Sequence, residues 1–239
     1  MKDRTSESAV ETLWNGVVLK RGPFPLGTDS VLLSHFVSLR SGSRVADLGA
    51  GCGTLGLLLA AREPSCAVTG VELDDAAYAM GLENLALNSS ASLRLLQGDV
   101  RKIRELLPAG SFDLVVSNPP YFPVGSGKVA NAYRSELTLT LQELCKAAAW
   151  LLPSGGTFAL VHRPERLCDL FWELRSHGIE PKRIQFVRHK TDAPVCLVLI
   201  EGRRGGKAGL TYEPDFIEFH PDGSETEAYR AAYHRGESL

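Results

Sequence analysis

Val45-Ala46-Asp47-Leu48-Gly49-Ala50-Gly51-Cys52-Gly53-Thr54-Leu55-Gly56 runs from an apolar, strand-like segment through three closely spaced glycines into a helix-like start. Glycines at that spacing let the backbone approach a ligand closely and turn helix N-terminal amides toward an anionic group. Gly51-x-Gly53-x-x-Gly56 also satisfies the dinucleotide fingerprint. Glu72 follows about twenty residues later, where a ribose-binding acid belongs. A nicotinamide oxidoreductase is therefore one reading of the loop. Against it stands Asp47 at the strand end: a carboxylate is unwelcome beside a pyrophosphate but suits a cation such as an α-ammonium.

Outward from this loop, strand patterns at 44–48, 67–73, 93–97, 112–117, 157–161, 183–187 and 195–200 alternate with helical patterns near 55–61, 76–87, 101–107, 141–152 and 164–177. Such alternation predicts an α/β fold with a largely parallel sheet covered on both faces. The last two strands have no helix between them and are expected to pair as an antiparallel edge. Thr140 to Glu143 forms a capping-box pattern, and Pro164 suits a first helical turn. Upstream, Asn15-Gly16 between apolar runs predicts a hairpin, and Thr28-Asp29 reads as the cap of a helix over 30–37.

The chain has 239 residues, 44% of them hydrophobic, enough for one α/β domain with a substantial core. The expected division is an N-terminal hairpin and helix over 1–40, a core over 41–201 and a tail over 202–239, all one domain. No apolar run has membrane-spanning length and the N-terminus lacks a hydrophobic signal core, so the expected location is cytoplasmic, with no membrane partner. Cys52, Cys66, Cys145, Cys168 and Cys196 show no CxxC pairing and are expected to be buried free thiols. The six histidines are dispersed, so no metal site is expected. Net charge is −2, but residues 182–207 carry seven Lys/Arg against two acids, a balance of +5. Residues 208–239 carry two Arg against seven acids, a balance of −5. A basic patch beside an acidic tail fits a polyanionic substrate; solvated loops of both signs fit as well.

Asn118-Pro119-Pro120-Tyr121 follows the apolar run Leu114-Val115-Val116. An Asn side-chain carbonyl and the carbonyl of Pro119 can both accept from a planar amino group, while a Tyr ring stacks on the base carrying it. Alone, the tetrapeptide is also an ordinary strand-ending turn. Glu72, Asp99 and Asn118 close successive strands, and with Asp47 they would converge at the carboxyl ends of a parallel sheet. Glu72 suits a ribose diol and Asp99 an adenine amino group; helix capping is the plainer role for each. Gly125-Ser126-Gly127-Lys128 is no P-loop, because Phe122 and Val129 occupy its required glycine and Ser/Thr positions.

With these motifs together, the chain resembles the class I S-adenosylmethionine-dependent methyltransferases over residues 44–201, through Asp47 to Gly53, Val71-Glu72-Leu73-Asp74, Gly98-Asp99 and Asn118 to Tyr121. Within them it is similar to the bacterial tRNA1(Val) adenosine N6-methyltransferase family, through Gly27-Thr28-Asp29-Ser30-Val31-Leu32-Leu33 and Val161-His162-Arg163-Pro164-Glu165-Arg166-Leu167. It departs from that family at Arg134-Ser135-Glu136, where members carry an Arg-His-Glu-like run.

The resemblance implies a seven-stranded, Rossmann-like class I methyltransferase sheet with a short N-terminal extension, S-adenosylmethionine as cofactor and a tRNA substrate. It implies that Asp47, Gly49, Gly51 and Gly53 hold the methionine end, Glu72 with Leu73 the ribose, and Asp99 with Val100 the adenine. Asp29 is a further cofactor contact. Asn118, Pro119 and Tyr121 become the catalytic group, with Pro120, Tyr121 and Phe122 gripping the target base. The same tetrapeptide chemistry serves cytosine N4, guanine N2 and protein glutamine N5, and a non-catalytic RNA-binding module is the alternative of another class. The forty or so residues before the first core strand leave little room for a DNA-reading or helical substrate domain.

Overall fold

The computed structural model describes residues 10–13, 16–20, 22–24, 26–119 and 139–233. Pro120, Tyr121 and Phe122, like residues 125–129 and 134–136, lie outside the described residues. A two-stranded ribbon opens the fold, β1 (Val10–Thr12) pairing antiparallel with β2 (Val18–Lys20). The connection is closed by Leu13 N donating to Val17 O at 2.7 Å. The predicted turn falls partly on Asn15, outside the described residues.

The ribbon is docked by side chains. On α3 (Asp75–Leu87) and just past its end, Asn84 and Asn88 lie one helical turn apart. Their carbonyl oxygens accept from Lys20 N at 2.8 Å and Val18 N at 2.9 Å, and Asn88 Nδ2 returns a bond to Val18 O at 2.7 Å. Four helical residues rise about 6 Å and two strand residues about 6.6 Å, so two carboxamides mimic a neighbouring strand.

The main sheet runs β10-β8-β9-β7-β6-β3-β4-β5. Its central members are β3 (Arg44–Leu48), β4 (Ala67–Glu72), β5 (Leu93–Gln97), β6 (Leu114–Ser117) and β7 (Thr157–His162), all parallel. β8 (Ile179–Arg188) and β9 (Val195–Arg204) pair antiparallel as expected, though each is longer than predicted. Only β9 opposes the rest, and it sits between β7 and β8 instead of at the edge. Burial explains the length: Leu197 to Gly202 are all buried, a run that a central strand needs.

Helices cover both faces. On one side α1 (Thr28–Phe36), α2 (Thr54–Arg62) and α7 (Glu227–Ala232) share a core with Val45, Val116, Val161 and Leu199; on the other, α4 (Ile103–Leu106), α5 (Leu141–Leu151) and α6 (Leu167–Ser176) pack on Leu48, Val115, Phe158 and Ile200. Fully burying one such aliphatic or aromatic side chain stabilises by about 1.5–3 kcal/mol. The Thr140 capping box is present, and Pro164 opens a 3-10 turn. Thr28 and Asp29 do not cap α1: the helix already includes them, and Gly27 occupies the N-cap.

Residues 202–239 are not a free tail. β10 (Thr211–Tyr212) and β11 (Phe216–Ile217) add to β8, giving nine strands where seven were expected. Electrostatics accounts for this: Arg183 pairs with Glu213 at 3.0 Å, Arg188 with Asp215 at 2.7 Å, and His189 with Glu218. Arg183 also meets Glu201, which is 4% exposed, at 2.5 Å. The basic and acidic stretches thus satisfy each other largely within the fold, and the polyanion reading of this patch is withdrawn. Cys52, Cys66 and Cys145 are buried free thiols, whereas Cys196 is half-buried and Cys168 exposed, on the outer side of α6. No described helix is long and apolar enough to cross a membrane.

Candidate active site

β3 is flanked by β4 on one side and β6 on the other, so chain connections leave its carboxyl end in opposite directions and open a crevice there. A cavity of about 730 Å³ occupies this position. Its wall includes Asp47, Gly49, Gly51, Glu72, Leu73, Asp99, Val100 and Asn118, which lie up to 71 residues apart in sequence. Ser117 Oγ donates to Leu48 O at 2.7 Å, buried, and so locks the end of β6, with Asn118 beyond it, to the end of β3.

The glycine loop is built for close approach. Gly49 and Gly51 have φ of 74° and 56°, and nothing stands within 4 Å of where a Cβ would be on either. A side chain there would be strained and would enter the cavity. Behind the loop, Gly49 N and Ala50 N both donate to Val71 O at 3.0 Å, and Asn84 Nδ2 holds Cys52 O at 2.9 Å. Gly53, the N-cap of α2, is not part of the wall; it packs toward Leu85, Leu93 and Leu95. It supplies no side-chain cap, and Thr54 and Leu55 of the first helical turn do line the cavity, placing helix N-terminal amides beside it.

Asp47 is 1% exposed, and its Oδ2 has no hydrogen-bond partner among the described residues. Burial first, and the neighbouring Glu72 charge second, push its carboxyl up to about 7, partly offset by the Gly56 N–H. An unpaired buried carboxylate is costly, and a cation in the cavity would relieve that cost. Glu72 accepts from Gly51 N and from Asp74 N, each at 2.7 Å, one bond per oxygen. A lone pair therefore remains on each oxygen for a diol. Asp74, not Glu72, caps α3.

Asp99 follows the plainer role more closely. It caps the 3-10 turn at Val100–Lys102 and is gripped by Arg101 through bonds of 2.7–2.9 Å. Those bonds hold its carboxyl below the ordinary carboxylate range. Asn118 Nδ2 donates to Ser30 Oγ at 3.0 Å; Pro119 is buried beside it. Asp29 is absent from the cavity wall, although its neighbours Gly27 and Ser30 are present. The motif drew attention to the right turn of α1 but to the adjacent side chain. Phe24 and Leu139 also line the cavity without any signal in the sequence.

His162, buried at the end of β7, receives Arg163 N on Nδ1 at 2.8 Å and is pushed down to about 4, mainly by burial, so its imidazole is neutral at pH 7. Among the described residues no cluster of three or more His, Cys, Asp or Glu is placed to hold a metal.

The methyltransferase small-domain family matches residues 22–170, well over half the chain and all of the cavity wall described above. The chain belongs to that family. Among similar proteins, a tRNA1(Val) (adenine(37)-N6)-methyltransferase from Dickeya chrysanthemi is 35% identical over 192 residues, 77% of this chain and 75% of its own. The enzyme of the same description from Pseudoalteromonas translucida is 32% identical over 139 residues, 57% of this chain and 59% of its own. The fold is shared with a predicted O-methyltransferase from Agrobacterium tumefaciens, at a TM-score of 0.74 and 22% identity over 89% of this chain and 98% of that one. This methyltransferase therefore has the class I sheet that its motifs imply, extended by two short strands at the β8 edge.

Proposed function

We propose that this methyltransferase transfers a methyl group from S-adenosylmethionine to N6 of an adenine in a tRNA anticodon loop, in the cytoplasm, as a single catalytic domain. The observation that carries the reading is the convergence of an unpaired buried carboxylate, a diol-competent glutamate and an oriented asparagine on one cavity. The residues present fit the cofactor. Asp47 suits its α-ammonium, the α2 amides its α-carboxylate and Glu72 its ribose. Leu73 and Val100 supply apolar wall for the adenine, and Asp99 reaches its amino group if Arg101 yields a bond. The bound cofactor supplies a methyl group already activated by the sulfonium.

What remains for the protein is in-line positioning of a poor nucleophile, for which no strong base is required. Asn118 and the Pro119 carbonyl would accept the two amino protons and draw the nitrogen lone pair out of conjugation. Tyr121 and Phe122 would grip the base after it leaves its stack, a cost already reduced in an anticodon loop. The nicotinamide reading leaves Asp47 facing a pyrophosphate, and the binding-module reading leaves Asn118 without a task. Labelled S-adenosylmethionine offered with total tRNA, DNA or release factor decides among substrates: label is expected in tRNA alone. Label only in DNA or protein would overturn the proposal.

Asp47 makes cofactor binding pH-dependent. Because the folded carboxyl titrates at about 7, the cofactor-free fold retains a proton that the unfolded chain loses near 4. This group's contribution to stability therefore falls as pH rises from about 4 to about 7. Cofactor binding needs the ionised form and must displace that proton below 7. Calorimetry is expected to show a dissociation constant roughly tenfold weaker at pH 6 than at pH 8. The dependence should vanish in Asp47→Asn; equal affinities at both pH values in the unmodified protein would refute the assignment.

A further inference from the structure

A carboxamide has a donor end and an acceptor end, and only one of them helps an amino group react. If Asn118 presented its NH2 to the target base, donor would face donor, and the nitrogen lone pair would stay in conjugation. Ser30 selects the end. Its Oγ accepts Asn118 Nδ2 at 3.0 Å, so the donor end is taken up on the α1 side and the carbonyl becomes the end offered elsewhere.

Ser30 is well placed to impose that choice, because α1 is tied at both ends. Tyr233 Oη, just past α7, donates to Thr28 Oγ1 at 3.1 Å. At the other end Arg62 bonds Ser34 O and Val37 O, and Arg183 bonds Phe36 O at 3.1 Å. Between them Val31, Leu32 and Leu33 are at most 1% exposed. The hydroxyl is therefore carried on a rigid element, as a preorganised partner must be.

We propose that Ser30 is a positioning residue that fixes the flip of the Asn118 carboxamide and so makes the site select an amino group over a carbonyl at the reacting position. The inference rests on the function proposed above. It assigns Ser30 no contact with the reacting atoms.

The test uses the full-length protein and full-length tRNA carrying either adenosine or inosine at the target position, inosine replacing the amino group by a carbonyl. The unmodified protein is expected to methylate the adenosine form and to bind it, with S-adenosylhomocysteine present, roughly tenfold more tightly than the inosine form. In Ser30→Ala the amide can flip, so that ratio should shrink toward one, with turnover down on the order of tenfold. Cofactor affinity and melting temperature should stay put. Ser30→Thr keeps the hydroxyl and should restore both ratio and turnover. An unchanged ratio and turnover in Ser30→Ala overturns the proposal, as does a joint fall in cofactor affinity, turnover and melting temperature. If the unmodified protein methylates neither RNA, the proposed function itself fails and takes this inference with it.

Discussion

Replacing Asn118 with alanine is expected to lower methyl transfer on the order of 10²–10³-fold, the scale seen when one preorganised acceptor or donor is removed from a reacting centre. Cofactor affinity should change by no more than about twofold, within the context dependence of a lost neutral hydrogen bond. The two effects separate because Asn118 stands at the end of β6, locked to β3 by the Ser117 bond to Leu48. The contacts assigned to the cofactor instead come from the glycine loop, Glu72 and Asp47. Truncating the carboxamide removes the acceptor for the target amino group without disturbing the strand that carries it. Calorimetry and single-turnover assays on the same preparation separate the two quantities. Lost cofactor affinity with turnover retained would show that Asn118 serves the cofactor and not the base.

Glu72→Ala should do the reverse. Its two oxygens hold Gly51 N and Asp74 N and retain one lone pair each for the ribose diol. Truncation therefore removes the diol contact and loosens the loop that carries Gly51 in a left-handed conformation. Loss of charge-assisted bonds on this scale is worth about 3 kcal/mol, or roughly 10²-fold in the dissociation constant. Turnover at saturating cofactor should recover most of its value, because nothing assigned to the target base has moved. Glu72→Gln, with one acceptor left, should fall between. An unchanged dissociation constant in Glu72→Ala would remove Glu72 from the ribose site.

The central strands and the residues at their ends were legible because both depend on local pattern. An apolar run followed by a glycine or a carboxylate marks a strand end wherever it occurs, and a parallel sheet necessarily gathers such ends on one edge. Long-range pairing was not legible. Whether β9 lies outside or inside β8 depends on which face each strand buries, and residues 195–204 show that only once the neighbouring helices are in place. The acidic segment 208–239 looked like a tail because its charges were counted by themselves. In the fold they meet Arg183, Arg188 and His189, and β10 and β11 follow.

The site divided in the same way. Asp47, Glu72 and Asn118 are strand-end residues and were found. Ser30 belongs to a helix packed across from them, and only the 3.0 Å bond to Asn118 distinguishes it from Asp29 beside it. For Asp99 the short-range rule won: a residue two positions before an arginine, at the start of a turn, is capped and paired locally before any ligand arrives.

The most direct measurement is the identity and position of the methylated nucleoside. Unmodified tRNA1(Val) is incubated with the protein and labelled S-adenosylmethionine, digested, and resolved by chromatography and mass spectrometry. The expected result is N6-methyladenosine at the adenosine next to the anticodon, absent when Asn118→Ala replaces the unmodified protein. Label on a ring nitrogen, a ribose oxygen or a carbonyl oxygen, or no label from a protein that binds the cofactor, would contradict an amino nitrogen held by Asn118 in front of the donor.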